Sequence, residues 1–180
     1  MSHPSQPSHR EITMAPNRED TYDKVPLVVP LADDYCFVCG RDNPLGLHLQ
    51  VRYMPEARAA AANLTLPREY QGWADVIHGG ILATLLDEMM AQAVWKFAGP
   101  CITLSLEVRF HHPLKPGEEI SVRGLLTSPD GSRRTAQAEI RRTRDNQRIA
   151  SGKSKFLLVN EGVEGTGGGP QGPPSATTFC

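Results

Sequence analysis

The chain has 180 residues, 39% of them hydrophobic, and a formal net charge of −1 at pH 7. This length suits one domain with a sizeable core, and the near-neutral charge provides no strong attraction to nucleic acid or anionic membranes. No apolar run approaches the roughly 20 residues of a membrane-spanning helix, and the N-terminus lacks the basic and apolar regions of a signal peptide. We therefore expect a cytoplasmic protein with no nucleic-acid or membrane partner.

Both ends of the chain are unusual in composition. Residues 1–32 contain five prolines and show no sustained hydrophobic period, which predicts a flexible N-terminal arm. Residues 161–180 are rich in Gly and Pro and predict a disordered tail. The folded domain should therefore occupy residues 33–160.

Within this domain the hydrophobic period changes from two to about 3.6 and back again. Alternating apolar residues predict six strands, near residues 47–53, 60–66, 104–110, 120–122, 134–143 and 148–159. A single helix is predicted at about 79–97, and its apolar stripe can be covered only by a sheet. The predicted fold class is α+β, in which a curved antiparallel sheet wraps around one long central helix.

The predicted helix carries two adjacent carboxylates, Asp87 and Glu88, in an apolar sequence. Asp87 points away from the stripe that we assign to the sheet, which consists of Leu82, Leu85, Leu86, Met89, Ala93 and Phe97. Its helical neighbours are uncharged: Gly80, Ala83, Thr84, Met90, Ala91 and Val94. Small residues indicate close approach by a second subunit or a ligand, so we interpret Asp87 as functional. Glu88 is either a second catalytic carboxylate or a residue at the rim or interface.

The helix is preceded by His78, Gly79 and Gly80. The first amides of a helix lack intrahelical acceptors and lie at the positive end of its dipole. Glycines leave these amides open to an approaching carbonyl, so they are suited to stabilising an oxyanion. Paired glycines also make ordinary tight turns, and the motif gains weight from the Asp that follows His78 nine residues later.

Three motifs resemble one known family. They are CFVCGRDNPLGLHL at 36–49, YQGWADVIHGGILATLLDE at 70–88 and TLSLEVRFHHPLKPGEEISVRG at 103–124. Over about residues 36–159 the chain resembles hotdog-fold acyl-CoA thioesterases of the phenylacetate-pathway (PaaI-like) type. The resemblance implies an acyl-CoA substrate and a homodimer or homotetramer with active sites at the subunit interface. We expect no metal or cofactor.

The same resemblance suggests individual roles. Asp87 matches the catalytic carboxylate, acting as a general base toward water or as a nucleophile. His78 and Gly79 match the motif whose backbone binds the thioester oxygen, and Thr103 falls where a hydroxyl positions the water or the carboxylate. Gln71 lies in a loop that often supplies a polar contact, although it reads QGWAD where QGxPG is commoner. The predicted substrate-binding residues are Gln71, Gly80, Thr84 and Glu88.

Two further features leave alternatives open. Cys36 and Cys39 are spaced for zinc or for a redox pair, yet a structural zinc site needs four ligands, and we favour partly buried cysteines near the domain entrance. Six arginines near one hairpin are suited either to the phosphates of coenzyme A or to a solvated strand surface: Arg133, Arg134, Arg141, Arg142, Arg144 and Arg148.

Two other functions are compatible with the same fold. One is an acyl dehydratase, in which a His would serve as the base. The other is a non-catalytic module that binds acyl-CoA or another ligand, and fold alone does not separate it from an enzyme.

Overall fold

The computed structural model describes residues 28–29, 34–128 and 133–161. Except for residues 28, 29 and 161, the predicted arm and tail lie outside this part of the chain. The described elements are one helix, α1 (Gly79–Ala98), and eight strands: β1 (Val28–Val29), β2 (Arg52–Met54), β3 (Ala59–Thr65), β4 (Cys101–Phe110), β5 (Glu119–Ser128), β6 (Arg133–Arg142), β7 (Arg148–Leu158) and β8 (Asn160–Glu161). Short 3-10 helices at Pro55–Ala57 and Arg68–Tyr70 complete the described secondary structure.

Six of these strands form one sheet in the order β2-β3-β5-β6-β7-β4, and every neighbouring pair is antiparallel. β1 and β8 form a separate two-stranded parallel pair. α1 packs on β3, β4, β5, β6 and β7. This arrangement confirms the predicted hotdog fold, in which a curved antiparallel sheet wraps around one long helix.

The core lies between α1 and the inner face of the sheet. Five of the six predicted stripe residues are buried, and Phe97 is only partly buried. Met90 and Val94, two of the helical neighbours of Asp87, are also fully buried, so the accessible face around Asp87 is narrower than the helical spacing indicates. Because the sheet curls around the helix, it covers a wider stripe than one flat layer would.

The first predicted strand is shorter than expected. Only Arg52–Met54 pair with β3, and residues 47–51 are not strand. His48 adopts a left-handed φ of 50° and its Nδ1 lies 3.0 Å from the Gly40 carbonyl oxygen. The amides of Leu47 and Leu49 donate to the carbonyls of Phe37 and Val38, so this segment pairs with the preceding loop instead of the sheet.

β4 lies at an edge of the six-stranded sheet. It is ten residues long and pairs with β7 on one side, and no described strand pairs with its other side. Leu106 and Phe110 on this strand are 38% and 55% exposed. Long edge strands with exposed apolar residues readily pair with another chain.

Within the described residues, no helix combines the length and apolarity that crossing a membrane requires.

Helix and sheet approach each other closely at Gly124, where an added Cβ would overlap the Met89 carbonyl. We expect Gly124→Ala to lower the free energy of unfolding by about 1–3 kcal/mol, the usual effect of over-packing. Gly152 is the matched control, because its added Cβ would meet no atom closer than 3.3 Å. Gly152→Ala should change stability by less than about 1 kcal/mol. Urea unfolding of both variants measures the difference, and equal losses would contradict this packing.

Candidate functional site

At the helix entrance, one backbone amide has no hydrogen-bond acceptor among the described residues. His78 caps α1, and its Nδ1 accepts a hydrogen bond from the Gly80 amide at 2.9 Å. The amides of Ile81 and Leu82 donate to the His78 carbonyl at 3.0 and 3.4 Å. Among the described residues, the Gly79 amide has no acceptor. An oxyanion role at this entrance is therefore best suited to Gly79, since the Gly80 amide is already bonded.

Gly79 borders an open groove of about 390 Å³, which we call the entrance groove. A Cβ at Gly79 would lie 3.1 Å from the ring of Phe110, so this aromatic ring covers the glycine. Trp73, which is 85% exposed, lines the same groove. Neither aromatic residue could be identified from the sequence, because the proximity of each to Gly79 depends on the path of β4 and of the loop before the helix.

Asp87 is held by a hydroxyl group from the edge strand. Thr103 Oγ1 donates to Asp87 Oδ1 at 3.0 Å. Burial raises the pKa of Asp87 above its ordinary value, and the hydrogen bond from Thr103 opposes part of this rise. A carboxylate with a raised pKa is a stronger base when ionised.

Cys101 lies near the same carboxylate. Burial, reinforced by the negative charge of Asp87, raises the pKa of Cys101 to about 12. The thiol is therefore protonated at neutral pH and is a poor nucleophile. This proximity could not be predicted from the sequence, because it depends on how the start of β4 packs beside α1.

Gly79 and Asp87 are not adjacent in one chain. They are eight residues apart on α1, which corresponds to about 12 Å at a rise of 1.5 Å per residue. Reacting atoms must approach within about 3–3.5 Å. The two groups of a single chain therefore cannot act on the same carbonyl.

Glu88 belongs to a different network. Gln92 Nε2 donates to Glu88 Oε1 at 2.8 Å, and the hydroxyl of Tyr53 donates to Gln92 Oε1 at 2.6 Å. Burial raises the pKa of Glu88, the bond from Gln92 lowers it, and the charge of Asp87 raises it further. These contacts place Glu88 on the side of the helix near Tyr53 of β2.

The remaining predicted binding residues differ in their contacts. Thr84 Oγ1 donates to the Gly80 carbonyl at 2.9 Å, so its hydroxyl proton is used within the helix. Gln71 pairs through its backbone with Ile77, and its side-chain Oε1 is buried without a hydrogen-bond partner. A buried acceptor left unpaired costs about 1–3 kcal/mol, which indicates that Gln71 is suited to a polar contact from outside this chain.

The two spaced cysteines meet Glu88. Ligand atoms of Cys36, Cys39 and Glu88 lie within 4.8 Å of one another. Structural zinc sites have four protein ligands, and no fourth candidate ligand joins this group among the described residues. The amide of Val38 donates to Cys36 Sγ at 3.4 Å, and Gln92 Nε2 lies 3.6 Å from Cys39 Sγ.

Most of the clustered arginines are paired with carboxylates. Arg142 and Arg144 contact Glu118 and Asp145, and Arg141 and Arg148 contact Glu139. Arg134 is half-buried, and its Nε and Nη1 lack partners. The four paired arginines are therefore less available for phosphate binding than the sequence pattern indicates.

Comparisons with known proteins agree with the fold. The profile of the thioesterase superfamily matches residues 74–149. A search of curated protein sequences finds no match. A crystal structure of a thioesterase superfamily protein has a TM-score of 0.65 and 28% identity, with 69% of this chain and 60% of that chain covered. The chain therefore spans less than two thirds of that protein's length.

Two further structures are more distant in sequence. The E. coli PaaI protein from the phenylacetic acid degradation operon has a TM-score of 0.59 and 16% identity, with 64% and 82% of the two chains covered. A Streptococcus mutans protein bound to acetyl CoA has a TM-score of 0.58 and 11% identity, with 63% and 90% covered. These two structures share the fold of this chain, and the profile match adds a sequence resemblance to the thioesterase superfamily over residues 74–149.

The His78 ring provides a test of the helix entrance. His78→Ala removes the cap of the Gly80 amide and should lower the free energy of unfolding by about 1 kcal/mol. His78→Asn is the control, because Asn is among the best N-cap residues and should retain most of that stability. Denaturant unfolding of the three proteins measures the effect. If both variants lose the same stability, the ring does not act as a cap.

Proposed function

We propose that the protein hydrolyses an acyl-CoA thioester to a free acid and coenzyme A. The observation that carries this proposal is the presence on α1 of two groups suited to thioester hydrolysis. One is the Gly79 amide, which has no acceptor among the described residues, and the other is Asp87, a carboxylate of raised pKa that accepts a hydrogen bond from Thr103. A thioester carbonyl needs only modest activation, and a thiolate leaves readily. One base and one oxyanion donor can therefore suffice without a Ser-His-Asp triad.

In the proposed mechanism the Gly79 amide donates to the thioester oxygen. The Asp87 carboxylate accepts a proton from water, and the water oxygen attacks the carbonyl carbon. Collapse of the tetrahedral intermediate breaks the carbon–sulfur bond and releases the thiolate of coenzyme A, which is then protonated. Thr103 keeps Asp87 oriented. A nucleophilic route, in which Asp87 attacks first and water cleaves the resulting anhydride, uses the same groups.

The separation of Gly79 and Asp87 supports a site shared between two chains. Thr103, near the start of β4, bonds to Asp87, whereas Phe110, at the end of β4, covers Gly79. Antiparallel pairing of two β4 strands across a two-fold axis brings the start of each strand to the end of the other. Asp87 of one chain would then meet Gly79 of the partner subunit.

The exposed edge of β4 and the small-residue face of α1 support the same homodimer. Gly80, Ala83, Thr84 and Ala91 are exposed or half-buried in the single chain. Pairing through β4 would join the two sheets and place these helix faces against each other. The comparison with the acetyl CoA-bound structure supports a coenzyme A thioester as the ligand class.

Kinetics of two nearly isosteric variants separate the two carboxylates. We expect Asp87→Asn to lower kcat by about 10²–10⁴, the usual contribution of a positioned base. Glu88→Gln should change kcat by less than about tenfold, because Glu88 bonds to Gln92 on another side of the helix. The measurement is thiol release from short, medium, long and aromatic acyl-CoA substrates. If Glu88→Gln is the inactive variant and Asp87→Asn stays active, the proposed base is wrong.

Stability provides the folding control for Asp87→Asn. Because folding raises the pKa of Asp87, the contribution of this carboxyl group to the free energy of unfolding is fully present below its pKa in the unfolded chain. That contribution is lost as the pH rises through its pKa in the folded protein. The variant should therefore be at least as stable as the parent at neutral pH. This difference should vanish under acidic conditions, where both side chains are neutral.

A further inference from the structure

An open groove of about 510 Å³ crosses the outer face of the sheet, on the side away from α1. We call it the outer groove. Four cations and two carboxylates are among its lining residues: Arg109, Arg123, Arg148, Lys153, Glu107 and Glu139. Its lining therefore has a net positive charge, in contrast to the nearly neutral chain.

Three of the four cations lie outside salt-bridge distance of the described carboxylates, although Arg123 lies opposite Glu139 and Lys153 lies opposite Glu107 on the neighbouring strands. Glu139 contacts Arg148 at 3.4 Å, and it also contacts Arg141 at 3.0 Å. In the described part of the chain, Arg109, Arg123 and Lys153 form no ion pair within 4.0 Å. These three side chains can therefore donate to an anionic ligand without first breaking a salt bridge.

The cations are spread across several strands. Arg109 on β4 lies opposite Ser151, Ser151 lies opposite Glu139, and Glu139 lies opposite Arg123 on β5. Arg109 and Arg123 are thus three strand spacings apart, about 14 Å at 4.8 Å per spacing. Lys153 projects from β7, between these two strands. This spread suits a ligand that carries phosphates at separate positions better than it suits one small anion.

The outer groove meets the entrance groove at His111, which lines both. The ring of His111 lies against Ser151, with Nε2 2.9 Å from the Ser151 hydroxyl. Phe110, the preceding residue, covers Gly79 in the entrance groove. A thioester whose oxygen binds the Gly79 amide can therefore extend its thiol portion past Phe110 and His111 onto the outer face.

We infer that the outer groove binds the phosphates of the nucleotide part of coenzyme A, through Arg109, Arg123 and Lys153. The pantetheine arm crosses the entrance groove between Trp73 and Phe110. This assignment rests on the proposed thioesterase function and names the part of the surface that recognises its substrate. The inferred phosphate-binding residues are therefore cations on three different strands, and not the hairpin arginines that are paired with carboxylates.

The test compares one acyl group carried by coenzyme A, by 3′-dephospho-coenzyme A and by pantetheine. For the parent protein we expect KM to rise in that order, since each step removes phosphates. In the double variant Arg123→Gln/Lys153→Gln, KM for the coenzyme A ester should rise at least about tenfold, equivalent to losing about 1.4 kcal/mol of charged hydrogen bonding. The ratio of the pantetheine KM to the coenzyme A KM should fall accordingly, with kcat for the coenzyme A ester nearly unchanged.

The control is Arg144→Gln, which removes an exposed arginine that is paired with Glu118 and lies outside the groove lining. It should keep the KM ratio of the parent. If the ratio of the pantetheine KM to the coenzyme A KM is the same in the double variant as in the parent, the outer groove does not bind the nucleotide.

Calorimetry with free coenzyme A separates this inference from the proposed function. If no thioester is hydrolysed, the proposed activity is wrong, yet binding of coenzyme A can still be measured. Weaker binding by the double variant than by Arg144→Gln would support the groove in that case. Equal binding by the two variants would overturn it.

Discussion

The packing of α1 on the inner face of the sheet determines most of the structure. The described chain has one long helix, and its buried residues Leu85, Leu86, Met89 and Met90 form the centre of the core. The helix approaches the sheet so closely that Gly124 has no room for a side chain. This interface also sets the position of the candidate site, because it places α1 along β4. Asp87 accepts a hydrogen bond from Thr103 near the start of β4, and Phe110 at the end of β4 covers Gly79.

The fold could be predicted from the sequence because its pattern changes period only twice. An apolar stripe of helical period, flanked by alternating segments, leaves a sheet as the only surface that can bury the helix. The first strand was predicted too long because alternation at Leu47, Leu49 and Val51 is also compatible with an extended loop. The left-handed φ of His48 and its contact with Gly40 are local features that periodicity does not report.

The candidate site could be predicted only in part. Helical spacing shows that Asp87 has no oppositely charged neighbour on α1. The hydroxyl of Thr103 donates to Asp87, as the resemblance implies. The use of the His78 ring as an N-cap depends on a rotamer, and because it occupies the Gly80 amide, Gly79 is the proposed oxyanion donor. The pairing of the hairpin arginines with Glu118 and Glu139 depends on strand register. Such contacts join residues far apart in sequence, where spacing alone carries little information.

The edge strand β4 also positions charged and aromatic side chains outside the proposed catalytic pair, Asp87 and Gly79. β4 presents Phe110 toward the entrance groove and Arg109 toward the outer groove, because successive side chains alternate between the faces of a strand. One strand thus contributes the hydroxyl that contacts the proposed base Asp87, the ring beside the proposed oxyanion donor Gly79 and a cation of the outer groove. The edge of β4 that pairs with no described strand is also the surface through which a second chain would complete the proposed site.

The central claim is that each active site combines Gly79 of one chain with Asp87 of the other. Its most direct test is a heterodimer of Gly79→Val and Asp87→Asn, made by co-expression with two different tags and purified through both. The account predicts about half of the parental activity, because one of the two sites is intact. A heterodimer of the parent chain with the double variant should be inactive, since each site then carries one lesion. The opposite pattern would contradict the account: an inactive first heterodimer and a half-active second would place the complete site within one chain.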